Sequence, residues 1–136
     1  MAKKLGIKEG FVVATINPPE DYEALVAPLP GGVSLEVATD VTRLLTRGLL
    51  PLDLIHLFTN GQEELFGALA ECRRLIKQDG AIWVSWYKKA AKLPTEITED
   101  TVREAAFPLG LVDVKVCAVD EKWSGLKLVI RKENRE

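Results

Sequence analysis

The stretch Leu52–Lys89, LDLIHLFTNGQEELFGALAECRRLIKQDGAIWVSWYKK, reads as strand, helix, strand. Leu52 to Thr59 is a near-continuous apolar run, the pattern of a strand covered on both faces. Asn60 stands three residues before Glu63, which predicts a capping-box-like helix start with Asn in place of Ser or Thr. Leu65, Phe66, Leu69, Cys72, Leu75 and Ile76 recur at helical spacing as one apolar stripe, with the charged residues mostly outside it. Gly80 is expected at the position just past the helix end, where a left-handed residue is needed. Ala81–Trp86 is the returning strand. A helical crossover permits parallel pairing, so the stretch is one βαβ unit.

Towards the N-terminus, Phe11–Ile16 is a second short apolar, β-branched run behind a polar lead. Asn17-Pro18-Pro19 stops it, and Pro is tolerated in the first turn of a helix. Tyr22, Leu25, Val26 and Leu29 share one helical face, which predicts a short helix from Glu20 to about Ala27. Val33–Ala38 alternates apolar and polar, as a half-exposed strand near a sheet edge does. Thr39 or Asp40 then caps a further helix carrying Val41, Leu44 and Leu45, stopped by Gly48.

Towards the C-terminus, Tyr87–Glu96 is a basic loop with Lys88, Lys89 and Lys92. Thr98 caps a helix whose inner face is Val102, Ala105, Ala106 and Leu109, and Gly110 ends it. Val112–Val119 and Leu126–Arg131 are strands joined by DEKWSG. A link that short permits only antiparallel pairing.

The chain has 136 residues, about one domain's worth, with 47% hydrophobic and 28% charged residues. Eighteen basic and 20 acidic residues give a net charge of −2, so nothing global draws the chain to nucleic acid or to anionic membranes. No apolar run approaches the roughly 20 residues needed to span a bilayer. The start MAKKLGIKEG lacks the apolar segment of a secretory signal, and the expected location is the cytoplasm. Cys72 and Cys117 show no metal-ligand spacing and are expected to be buried free thiols.

The segments LDLIHLF, CRRLIKQDGAIWVSW, the helix ending PLGL and the closing hairpin together resemble the second half of a class I S-adenosylmethionine-dependent methyltransferase. A closer resemblance, carried by LGIKEG, LPTEITEDTVRE and VKVCAVDEKWSGLKLVIRK, is to a family of small bacterial proteins of unknown function with the same truncated fold. The resemblance implies a three-layer Rossmann-like α/β domain with a mostly parallel sheet of about six strands, in the order 2-1-3-4-6-5. Only the C-terminal hairpin would be antiparallel. It also marks a departure. Methyltransferases of this class carry a GxGxG-like loop after the first strand, where this chain has Ile16-Asn17-Pro18-Pro19, with no glycine and two prolines that lack N–H donors. Asp40 stands where their ribose-binding acid would be, although an N-cap accounts for it as well. S-adenosylmethionine is therefore not expected to bind in the usual way, and no other cofactor or metal is implied.

Several residues invite a chemical reading. Asn17-Pro18-Pro19-Glu20 is similar to the (D/N)PP(Y/F/W) motif of amino-group methyltransferases acting on DNA, but Glu20 replaces the aromatic, and helix-start punctuation explains the prolines. His56, the one histidine, lies mid-strand and is expected in the core rather than in a triad or a metal site. Trp83 and Trp86, at odd spacing, point to opposite faces of a strand. Trp123 is placed in the hairpin connection as a candidate contact residue.

Open parallel sheets bind ligands at the carboxyl ends of their strands, where the strand order reverses. Those ends give the candidate ligand-binding set Asn17, Asp40, Thr59, Asn60, Lys88 and Lys89, with no catalytic residue assigned. The lysines suggest a small anionic ligand. The reading is a non-catalytic methyltransferase-like domain that binds a small ligand or a protein partner. The alternatives are an enzyme with an atypical transferase or nucleotide site built from Asn17, Asn60 and Lys88, or a module that pairs through the hairpin around Trp123.

Overall fold

The computed structural model describes residues 2–40 and 51–135. Six strands form one sheet: β1 (Val12–Ile16), β2 (Ser34–Ala38), β3 (Leu52–Phe58), β4 (Ile76–Tyr87), β5 (Leu111–Ala118) and β6 (Trp123–Ile130). Their order is β2-β1-β3-β4-β6-β5, as the sequence led us to expect. The first four run parallel to one another, and β6 is antiparallel to both β4 and β5. The helices are α1 (Ala2–Leu5), α2 (Tyr22–Val26), α3 (Gln62–Leu75) and α4 (Glu99–Ala106). The helix expected over Val41–Leu45, with its stop at Gly48, lies outside the described residues.

Period-two alternation sorts the central strands between two cores. On one face Ile16, Ile55, Leu57, Ile82, Val84 and Trp86 meet Leu65, Leu69, Cys72 and Leu75 of α3 and Val102 of α4. On the other, Val13, Leu54, Phe58 and Trp83 meet Leu5 of α1 and Tyr22 and Val26 of α2. The layers are thus helix, sheet, helix. Trp83 and Trp86 do face opposite ways, and each is held in a different core.

Four sequence expectations give way to tertiary contacts. The lead before β1 is not merely polar. Its α1 buries Ala2 and Leu5, and the Leu5 carbonyl accepts the Trp83 indole N–H at 2.8 Å. The indole therefore has its partner inside the apolar layer. Phe66 leaves the α3 stripe and is 41% exposed, since it lies about 100° round the helix from Leu65.

Gly80 does not end α3, which stops at Leu75, with β4 starting at Ile76. The β3–β4 register instead jumps from Leu52↔Ile76 to Leu54↔Ala81, so a bulge sits between them. A Cβ on Gly80 would stand 3.1 Å from the Asp53 carbonyl oxygen and 3.0 Å from that of Lys77. The glycine is needed for close backbone approach. Asp53 secures the same corner, accepting the Val12 N–H at 2.8 Å and pairing with Lys77 at 2.9 Å.

Lastly, Trp123 belongs to β6 rather than to the turn and is only 8% exposed. Other expectations hold. Thr98 caps α4 in a reciprocal box with Thr101, and Gly110 takes the left-handed conformation after it with φ 75°. Of the two thiols expected to be buried, Cys72 is, but Cys117 is not fully so: it is free and half-buried on β5. No described helix is long and apolar enough to cross a membrane.

Candidate functional site

The carboxyl ends of β1, β3 and β4 open onto one cleft of about 810 Å³, within the usual range for small-molecule sites. Asn17 stands at its rim directly after β1. It adopts the left-handed region, with φ 54°, a conformation that Asn tolerates better than most side chains. Its N–H donates to the Ala38 carbonyl at 2.7 Å, tying the end of β1 to the end of β2. Pro18 and Pro19 continue the rim, and neither carries an N–H.

Thr59 and Asn60, which follow β3, line the same cleft. The Asn60 side chain does not cap α3. Its Oδ1 accepts the Tyr87 N–H at 2.8 Å, joining the ends of β3 and β4, and its carbonyl accepts the Glu96 N–H at 2.9 Å. The helix N-terminus is served instead by Glu96, whose Oε1 accepts the Gln62 N–H at 2.8 Å. A carboxylate there suits the positive end of the helix. Glu96 comes from the segment after β4, which thereby straps across the carboxyl edge, and Leu93 of that segment also lines the cleft.

The remaining wall comes from the hairpin. Because β6 lies antiparallel beside β4, Tyr87 pairs with Trp123, and the β5–β6 turn is brought to the carboxyl edge. Asp120 Oδ1 accepts the N–H groups of Lys122 at 2.8 Å and Trp123 at 2.9 Å, which fixes the turn. The Tyr87 and Trp123 rings are 4.4 Å apart, and Trp123 meets Phe58 edge-on at 4.9 Å. These aromatics form one side of the cleft, with Asp120, Glu121 and Lys122 beside them. Asp21, at the start of α2, lies on the cleft as well.

Of the six residues singled out by sequence, Asn17, Thr59 and Asn60 are brought together in this cleft. Lys88 and Lys89 follow Tyr87 on the strap and do not line it. Asp40 lines a separate cavity of about 290 Å³, together with Ile16 and with Glu63, Glu64 and Gly67 of α3. The aromatic and hairpin contributions of Tyr87, Trp123 and the Asp120–Lys122 turn are absent from that set. The expected strand order carried the signal. Drawn with β6 antiparallel to β4, it already places the start of β6 at the carboxyl edge.

Under the cleft floor runs a polar row in an otherwise apolar layer. His56 Nε2 lies 2.7 Å from Ser85 Oγ, and its Nδ1 lies 3.0 Å from the Tyr22 hydroxyl. Thr15 Oγ1 donates to the His56 carbonyl at 3.0 Å. The His56 ring stacks on Phe58 at 4.2 Å. Burial lowers the imidazole pKa to about 3, so His56 is neutral at ordinary pH, and burial pushes the Tyr22 hydroxyl up. All described buried side-chain polar atoms have partners, this row included. Thr15, His56 and Ser85 are fully buried, so these three meet no solvent. Among the described residues, no group of three or more His, Cys, Asp or Glu side chains is arranged to hold a metal ion.

A family model described as "Protein of unknown function (DUF3052)" matches residues 2–132. No curated protein matches the chain. Solved structures with the same fold include an S-adenosylmethionine-dependent methyltransferase from Aquifex aeolicus, with a TM-score of 0.67 and 17% identity over 94% of this chain and 87% of that one. Precorrin-6y C5,15-methyltransferase from Geobacter metallireducens gives a TM-score of 0.66 and 11% identity over 94% and 84% of the two chains. Magnesium protoporphyrin IX methyltransferase from Synechocystis, solved with its cofactor bound, gives 0.63 and 11% over 95% and 74%. At such identities the likeness establishes the Rossmann-like methyltransferase fold of this chain.

Proposed function

The chain belongs to the DUF3052 family of proteins of unknown function, and from that premise we propose that it is a non-catalytic methyltransferase-like domain that binds a small molecule in the cleft between Asn17, Asn60 and Trp123. The observation that carries this reading is the first-strand rim. In the enzymes this fold resembles, a glycine-rich loop at this place lets the cofactor approach the backbone closely. Here Pro18 and Pro19 offer no N–H, and the N–H of Asn17 is already given to Ala38. The helix that follows, α2, has five residues. Asp40, the residue nearest in position to a ribose-binding acid, lines a different cavity. These residues do not fit S-adenosylmethionine in the usual way.

Two further features support binding over catalysis. Ser85 and His56, a hydroxyl and an imidazole at hydrogen-bonding distance, are sealed from solvent. Lys88, the cation that an atypical transferase site would use, is not on the cleft wall. The volume of about 810 Å³ suits a small molecule better than a protein segment.

Native mass spectrometry of the protein gently purified from its own cells tests the reading. A small-molecule adduct is expected, and it is expected to vanish in Leu93→Arg, which fills the cleft from an exposed position. An adduct retained in that variant, or methyl transfer from S-adenosylmethionine, would overturn it.

A further inference from the structure

Resting on the cleft reading above, we infer that the ligand is an organic cation with a flat ring, such as an aromatic amidine or amine, and that it is held between the aromatic wall and the carboxylates of the α2 start and the β5–β6 turn. The wall is aromatic. Tyr87 and Trp123 lie 4.4 Å apart with an interplanar angle of 38°, and Phe58 backs Trp123 edge-on at 89°. Trp123 cannot turn away, because it is 8% exposed and held in the β6 register opposite Tyr87. The negative faces of such rings attract cations, and indole does so best.

The charges at the cleft point the same way. Of the described residues that line it, Asp21, Asp120 and Glu121 stand against the one cation Lys122, so three acids minus one base leave −2 among them. The whole chain of 136 residues carries only −2, so the local excess does not follow from overall composition. Some described acids elsewhere are paired, Asp53 with Lys77, and Glu99, Asp100 and Asp113 all with Arg103. Among the described residues none of the three cleft carboxylates is in an ion pair, and Lys122, though it lines the same cleft, bridges to none of them. Asp120 is held in place by the two backbone N–H groups that its Oδ1 accepts in the turn. An anion would meet this excess of like charge, whereas the lysines that suggested one from sequence, Lys88 and Lys89, are off the wall.

The test uses three molecules of nearly one shape and different charge: benzamidine, benzamide and benzoate. Each is titrated into the intact protein and followed by the backbone amide of Tyr87 and the indole N–H of Trp123 in nitrogen-15 correlation spectra. Benzamidine is expected to shift both signals and to bind about tenfold tighter than benzamide, with benzoate weakest. In the double variant Asp21→Asn, Glu121→Gln that preference should fall to near parity with an unchanged circular dichroism spectrum. Both side chains are exposed and make no hydrogen bond to the described residues, so the fold does not depend on them. Equal binding of all three molecules, or a preference for benzoate, overturns the cation inference and leaves the cleft reading standing. No shift of either signal by any of the three overturns both.

Discussion

His56 and Ser85 face each other across the two central parallel strands with 2.7 Å between Nε2 and Oγ, and neither is reached by solvent. A neutral imidazole with both nitrogens engaged is stable there. An imidazolium is not, because nothing in the layer compensates its charge. The pair therefore makes the stability of the fold depend on pH in a definite direction.

Folded His56 titrates near 3, the unfolded side chain near the ordinary 6.5, so between those values the unfolded chain binds the extra proton. The contribution of His56 is complete above pH 6.5 and is lost as pH falls towards the folded value, at about 1.4 kcal/mol per pH unit. Urea denaturation of the native protein and of His56→Gln at pH 7, 6 and 5 checks this. The native curve should lose stability faster than the variant's over that range. Parallel profiles would mean that the imidazole is charged in the fold or already exposed.

Glu96 is the N-terminal cap of α3, although it lies 34 residues away in sequence from the Gln62 N–H it accepts. Glu96→Ala should destabilise the protein by about 0.5–1 kcal/mol, lowering the urea midpoint without changing the slope. Hydrogen exchange should accelerate at the start of α3 and leave β3 unaffected. Uniform acceleration across the sheet would contradict a local cap.

Two glycines should respond to alanine with opposite signs. At Gly80 the new Cβ would meet the carbonyl oxygens of Lys77 and Asp53 at 3.0 and 3.1 Å, so Gly80→Ala should cost about 1–3 kcal/mol. At Gly67, in the middle of α3, a Cβ meets none of the described residues within 4 Å, and Gly67→Ala should stabilise by about 0.5–1 kcal/mol. Thermal denaturation of the two variants separates them.

The architecture was legible because each of its signals is local. The apolar run of β3, the stripe of α3 and the short β5–β6 link each force their element, and the connection lengths then decide parallel or antiparallel pairing. What was not legible depends on residues far apart in sequence. Asn60 has the side chain of an N-cap, yet the Tyr87 N–H from β4 takes its carbonyl oxygen and Glu96 takes over the helix. Gly80 sits where a helix-ending glycine would, and a bulge against Asp53 uses it for a different reason. Trp123 looks like a turn residue until β4 supplies its partner Tyr87. The cleft inherited both kinds of outcome. Asn17, Thr59 and Asn60 came from the strand ends directly, while Trp123 and the Asp120–Lys122 turn needed the antiparallel neighbour.

The fold keeps the methyltransferase sheet, and we propose that its first-strand rim does not accept the cofactor. Calorimetric titration of S-adenosylmethionine into the intact protein, beside a methyltransferase of the same fold as a positive control, tests it most directly. The account predicts no saturable heat for this chain up to millimolar cofactor. Saturable binding of the cofactor, with or without methyl transfer, would contradict it.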